Sequence, residues 1–209
     1  MEKKKLEEKH QRGTVEYSKR ERIIDKLAEA NIPVAYWYIK MKDFNGPENI
    51  KEATLNYIKN IDENYNSGQG LCFTGNYGIG KTVSSCMIMK NALIRGYESY
   101  YTTLLDLISY LADFSTKRDF YHLVTRVDFL CIDEVDSRHF SDSEDAQRMF
   151  GSSFERVIRY RNQNKLPTVI VSNNTSIMEV FVGQHKRAID SLLSSVKMIS
   201  AIGKDYRKK

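Results

Sequence analysis

The 209-residue sequence predicts an α/β fold, a parallel sheet flanked by helices. Three observations carry that prediction. From residue 70 onward, short apolar runs alternate with longer amphipathic stretches, the texture of βαβ units. A glycine-rich turn stands between the first apolar run and a helical pattern. Finally, 41% of residues are hydrophobic while Pro numbers 3 and Gly 11, so the chain can bury a core and is neither collagen-like nor low-complexity.

Residues 1–31 are dense in Lys, Glu and Arg. Ile23, Ile24 and Leu27 give them one helical stripe, which predicts a charged N-terminal arm, a solvated helix or partner-binding segment. Proline disfavours helix in the residue before it, so Asn31-Ile32-Pro33 sets a boundary near residue 32, and residues 32–209 form one core. Tyr36-Trp37-Tyr38 follows, an aromatic cluster expected to pack on the core or to stack on a base. A helix is predicted over 48–63, with Ile50, Leu55, Ile58 and Ile61 on one face, ending at the turn-forming run Asn64–Gly68. Four strands are predicted at Leu71–Thr74, Ser99–Thr102, Val127–Ile132 and Thr168–Ser172. Helices are predicted at 81–95, 104–113, 143–162 and 185–194.

Lys plus Arg outnumber Asp plus Glu by 32 to 27, a net charge of +5 that permits nucleic-acid contact without demanding it. No apolar run approaches a membrane span and the start MEKKKLEEKH is too charged for a signal peptide, so a cytoplasmic protein is expected. Cys72, Cys86 and Cys131 sit among apolar neighbours with no CxxC pair, and the four histidines are scattered. Core thiols are expected, with no metal site built from side-chain nitrogen or sulfur.

Immediately after the first core strand stands Gly75-Asn76-Tyr77-Gly78-Ile79-Gly80-Lys81-Thr82, a full G-x-x-x-x-G-K-[ST] match opening a helix that contains Val83, Met87, Ile88 and Leu93. Glycines let the backbone turn and expose its amides to phosphates at a helix N-terminus. Lys81 is then placed to bridge β- and γ-phosphates, and the Thr82 hydroxyl to ligate Mg²⁺. The fold class is therefore that of a P-loop NTPase, with ATP and Mg²⁺ as cofactors. Further along, the strand beginning at Val127 ends in Asp133-Glu134. This strand is expected beside the first one, with Asp133 holding Mg²⁺ through a water and Glu134 orienting the attacking water. The strand at Thr168 ends in Asn173-Asn174, and Asn173 is the amide expected near the γ-phosphate; two adjacent asparagines also make a good turn.

The blocks GNYGIGKT, FLCIDEVD, PTVIVSN and the terminal GKDYRKK, in this order and spacing, resemble the DnaC-type helicase loaders and the related IstB-type transposition ATPases, both AAA+ proteins. The resemblance covers roughly residues 32–209. It implies an AAA+ core without a helical lid, ATP-controlled binding of a replicative hexameric helicase and of single-stranded DNA, and side-by-side assembly into a homo-oligomer in which a neighbour's arginine completes each ATP site. Loaders carry two arginines in the last helix, in a pattern like E-R-x-x-[DE]-R. Here Arg187 stands at the first position and Ser191 at the second, the usual finger. An arginine finger is worth several orders of magnitude in rate, so slow intrinsic, partner-stimulated turnover is expected. Loaders also tend to have a larger helicase-binding domain in front; here that contact would fall to the arm around Ile23, Ile24 and Leu27 or to a face of the core.

Candidate DNA contacts are Lys117-Arg118, Arg138 and the tail Lys204–Lys209, because phosphate binding by Lys and Arg needs only charge and reach. The main alternative is an IstB-like helper ATPase that recruits a transposase to DNA. A P-loop small-molecule kinase is disfavoured, since Asp133-Glu134 and Asn173 point to water activation. A nonhydrolysing decoy that blocks the helicase is a further alternative.

Overall fold

A computed structural model describes residues 21–136, 144–181, 183–194, 196–201, 203 and 205–206. A helix over 21–29 (α1) leads into single 3-10 turns at Val34–Tyr36 and Met41–Asp43. There follow α2 (Glu48–Lys59), α3 (Ile61–Ser67), β1 (Gly70–Gly75) and α4 (Lys81–Ile94). Next come β2 (Ser99–Thr103), α5 (Leu104–Ala112), α6 (Lys117–Arg126) and β3 (Phe129–Asp133). The chain continues through α7 (Glu144–Gln163), β4 (Thr168–Val171), α8 (Gly183–Leu193) and β5 (Val196–Ala201).

The strands form one sheet in the order β2-β3-β4-β1-β5, and every pairing is parallel. Side chains alternate faces along a strand. Leu71, Phe73, Phe129, Cys131, Val169 and Val171 join one core cluster, while Cys72, Leu130, Ile132 and Ile170 join the other. Burial on both faces is why these strands read as continuous apolar runs rather than alternating ones. The first cluster is closed by Leu27 and Ala30 from α1 and its end, Ile50 and Tyr57 from α2, Ile61 from α3, and Cys86, Ile88, Met89 and Ala92 from α4. The second is closed by α5 to α8, through Leu104, Leu107, Phe120, Val124, Phe154, Val157, Ile189 and Leu193. All three cysteines are buried free thiols, as expected.

The α/β class and the four predicted strands match the structure to within a residue or two, the usual spread at element ends. Five features differ from these expectations. The expected helix over 48–63 breaks at Asn60, whose backbone (φ −103°, ψ 30°) leaves the helical region, and restarts as α3. Its buried face is Ile50, Thr54, Tyr57 and Ile61, and Leu55 faces solvent. Helix α6 follows α5 after a short turn and was not expected. Neither was β5, an edge strand whose interior residues are exposed or only half-buried and so lack the apolar run of the others. The strand carrying Asp133 is not beside β1 but separated from it by β4, so the expected neighbour relation is corrected.

The fifth concerns the arm. Its described part packs on the core: Leu27, Ala30 and Ile32 are buried together, Tyr101 N–H donates to the Ala30 carbonyl (2.9 Å), and Asn31 Nδ2 donates to the Tyr101 carbonyl (2.9 Å). Residues 1–20 lie outside the described residues. No helix among the described residues is long and apolar enough to cross a membrane.

Candidate nucleotide-binding site

In a parallel sheet flanked by helices, the carboxyl ends of the strands face the crevice where ligands bind. Gly75 ends β1, Asp133 ends β3, and Asn173 lies two residues past β4. With β4 between β1 and β3, Asn173 falls between the glycine-rich loop and the acidic pair. A cavity of about 510 Å³ opens there, lined by Tyr77, Gly78, Gly80, Lys81, Thr82, Asp133, Glu134 and Asn173. Thus the loop, both acidic residues and the asparagine, read separately in the sequence, meet in one place.

The loop's backbone explains its glycines. Gly75, Gly78 and Gly80 have φ of 130°, 74° and 91°, values that L side chains rarely adopt. A Cβ on Gly75 would stand 1.8 Å from the Ala201 carbonyl oxygen, and one on Gly80 would stand 2.5 Å from the Phe44 ring. Ile79 turns inward and is buried under the loop, so what it can offer a ligand is its backbone. Asn76 Nδ2 donates to the Gly203 carbonyl (3.3 Å). Lys81 is almost fully buried, with Nζ donating to the carbonyls of Gly75 (2.8 Å) and Asn76 (2.6 Å). A phosphate at this loop would offer that ammonium a fully charged acceptor in place of a carbonyl.

Asp133 is buried at the floor of the cavity. Its Oδ2 accepts from Tyr101 Oη (2.8 Å), its Oδ1 from Glu134 N–H (2.6 Å), and the Thr82 hydroxyl also hydrogen-bonds to it. Burial pushes the carboxyl above its ordinary pKa; the hydrogen bonds from Tyr101, Thr82 and Glu134, and the charge of Lys81, pull the other way. Thr82 and Asp133 fit one edge of a Mg²⁺ site, since this ion takes one or two protein oxygens and fills its octahedron with water and phosphate oxygens. Among the described residues no three His, Cys, Asp or Glu side chains cluster as an all-protein metal cage.

Glu134 is exposed at the cavity wall with φ +55°, in the left-handed region that non-glycine residues rarely occupy. The turn that imposes this continues with Val135 N–H donating to the Val171 carbonyl (2.9 Å), which ties the acidic strand end to β4. Asp136, buried next to it, accepts from Asn173 Nδ2 (3.1 Å).

Sequence reasoning missed Tyr101, Phe44, Tyr206 and Asp136. Tyr101 belongs to β2, a run of Ser, Tyr and Thr that reads as a strand but gives no sign of which side chain reaches a carboxylate. Phe44 and Tyr206 come from the segment before α2 and from beyond β5, where Tyr206 N–H donates to the Gly78 carbonyl (3.1 Å). Of the aromatic cluster, Tyr36 lines the cavity, Trp37 packs inward with Nε1 donating to the Ile32 carbonyl (2.6 Å), and Tyr38 is exposed. Arg187 is exposed on α8 and does not line the cavity; Ser191, one turn on, is also exposed. Lys117 and Arg118 are exposed at the start of α6. Arg138, Lys204 and Arg207–Lys209 lie outside the described residues.

Fold and site together define a P-loop nucleotide-binding core. The family model described as IstB-like ATP binding protein matches residues 7–209, and the chain belongs to that family. Among solved structures, it is similar to the DnaC helicase loader (20% identity, TM-score 0.64, covering 80% of this chain and 99% of that one). It is similar also to DnaI (18%, TM-score 0.66, 83% and 93%). A third likeness is to the replication initiator DnaA bound to AMPPCP and single-stranded DNA (17%, TM-score 0.64, 83% and 51%), about half of whose length this chain spans. At such identities the likeness establishes the fold. Direct comparison with curated protein sequences gives no match.

Proposed function

We propose that this protein is an ATP-dependent helicase loader, binding a replicative hexameric helicase and single-stranded DNA under control of ATP binding and hydrolysis. The observation that carries this reading is extent. The likeness takes in 99% of the solved DnaC loader chain and 93% of the solved DnaI chain, but only 51% of the solved DnaA chain. In this reading Lys81 holds the β- and γ-phosphates, with the amides of Gly75 to Thr82 cradling them. Mg²⁺, when bound, neutralises charge developing on the transferred phosphoryl group. Thr82 and Asp133 hold it, Asp133 through a water. Glu134 orients the attacking water and Asn173 contacts the γ-phosphate from between the two motifs. The aromatic end of the cavity, Tyr36, Phe44 and Tyr206, takes the base. Arg187, exposed on α8, serves a neighbouring copy's site in place of an arginine at Ser191, so turnover is slow until partners assemble. The N-terminal arm and the exposed α6 start carry helicase and DNA contact.

A second reading, a transposition helper recruiting a transposase, is favoured by the family match, which runs over nearly the whole chain. Tagged protein loaded with ATP, beside Lys81→Ala, is used to capture partners from host extract for mass spectrometry. Recovery of the replicative helicase only with the intact loop supports the loader. Recovery of a transposase instead supports the helper, and capture of neither rejects both.

A further inference from the structure

We infer that Lys90 is a positioning residue for nucleobase recognition, holding the chain segment that forms the base end of the cavity. Its Nζ donates to the carbonyls of Tyr36 (3.0 Å) and Ile39 (2.8 Å), and both of those residues line the cavity whereas Lys90 does not. The inference rests on the nucleotide reading of that cavity.

The segment needs such a tether. Between Ile32 and α2 it consists of single 3-10 turns whose backbone bonds are local: Tyr36 N–H to the Pro33 carbonyl, Trp37 N–H to Val34, Phe44 N–H to Met41. Local turns fix the segment's own shape, and its far end rests on the phosphate loop through the Phe44 ring against Gly80, which leaves the stretch from Tyr36 to Ile39 to be held from elsewhere. Trp37 anchors the near end, on the Ile32 carbonyl. Lys90 spans the middle, and hydrogen bonds from a charged donor are about twice as strong as neutral ones.

The cation is also expensive where it sits. Lys90 is half-buried, its hydrogen-bond acceptors are carbonyls, and burial pulls its pKa below the ordinary lysine value. A partly desolvated ammonium held by dipoles costs stability that an apolar residue would not. What the cation adds is registration. Lys90 and Lys81 stand on the same helix, about 13 Å apart along its axis, so one rigid element sets both the phosphate end and the base end of the site.

The test compares ATP with inorganic tripolyphosphate, which engages the loop but carries no base, by calorimetry on the full chain. Lys90→Met is expected to weaken ATP binding about tenfold, the loss of roughly one charged hydrogen bond, and to leave tripolyphosphate affinity unchanged. Lys90→Gln, which keeps a neutral donor on the same stem, is expected to fall between Met and wild type, and it decides the matter should the Met variant not fold. Equal losses for both ligands would make Lys90 a support of the phosphate loop and overturn the inference, as would no loss for either. Wild-type protein that binds neither ligand would overturn the nucleotide reading itself.

Discussion

Arg161 stands on α7 away from the nucleotide cavity, yet it is the largest fully buried side chain among the described residues. Its Nε donates to Thr168 Oγ1 (2.9 Å), Nη1 to the carbonyls of Val124 (3.0 Å) and Val127 (2.9 Å), and Nη2 to those of Asp128 (3.1 Å) and Pro167 (2.8 Å). One guanidinium thereby ties the end of α6 to the starts of β3 and β4. Burial lowers its pKa to about 9, with Asp128 and Tyr57 opposing, so it stays a cation at neutral pH. In Arg161→Met the Pro167 carbonyl keeps a donor, Leu130 N–H, and the Thr168 hydroxyl can rotate. The carbonyls of Val124, Val127 and Asp128 lose theirs. At about 1–3 kcal/mol for each orphaned acceptor, less about 2 kcal/mol returned by burying the Met side chain, the net loss is about 4 kcal/mol. That is a large share of the ~5–15 kcal/mol that holds a domain together. Urea unfolding should show a midpoint lowered by about 2 M at unchanged slope, with Arg161→Lys losing roughly half as much. A loss below about 1 kcal/mol would refute the claim that these bonds close the sheet's base.

Three further perturbations separate binding, chemistry and partner contact. Because burial raises the Asp133 pKa above its unfolded value, the folded protein binds that proton more tightly, and stability falls as pH rises through the folded pKa. Asp133→Asn should therefore raise the melting temperature of nucleotide-free protein at pH 7, by an amount that vanishes toward acid pH, while removing the Mg²⁺ dependence of ATP binding; a melting temperature lowered at pH 7 would contradict this. Asp136→Ala frees the Asn173 amide and should cut the ATPase kcat by about tenfold with KM little changed; a change confined to KM would place Asp136 outside the chemistry. Phe114, 96% exposed in the turn before Lys117 and Arg118, has no packing role. Phe114→Ala should leave stability and ATP binding unchanged and weaken single-stranded DNA binding measured by fluorescence anisotropy, and equal DNA affinity would exclude this turn from the interface.

What could be read from the sequence follows from how each feature is built. The phosphate loop is one unbroken stretch, and its constraint is on the backbone: three glycines at positive φ, one of them facing the Ala201 carbonyl, leave a fixed spacing in the chain. The doubly buried strands leave apolar runs for a similar reason. Tyr101, Lys90, Asp136 and Tyr206 leave no such trace, because each acts on a partner distant in sequence and is placed by strand order or chain path. A tyrosine in a strand or a lysine on a helix looks the same whether it faces solvent or a buried carboxylate. The strand order also decides what Asn173 can do. Beside β1, the acidic strand end would have left the asparagine on the far side of the crevice. With β4 inserted between them, Asn173 lines the same cavity as Lys81 and Glu134, where the proposed chemistry can use its amide.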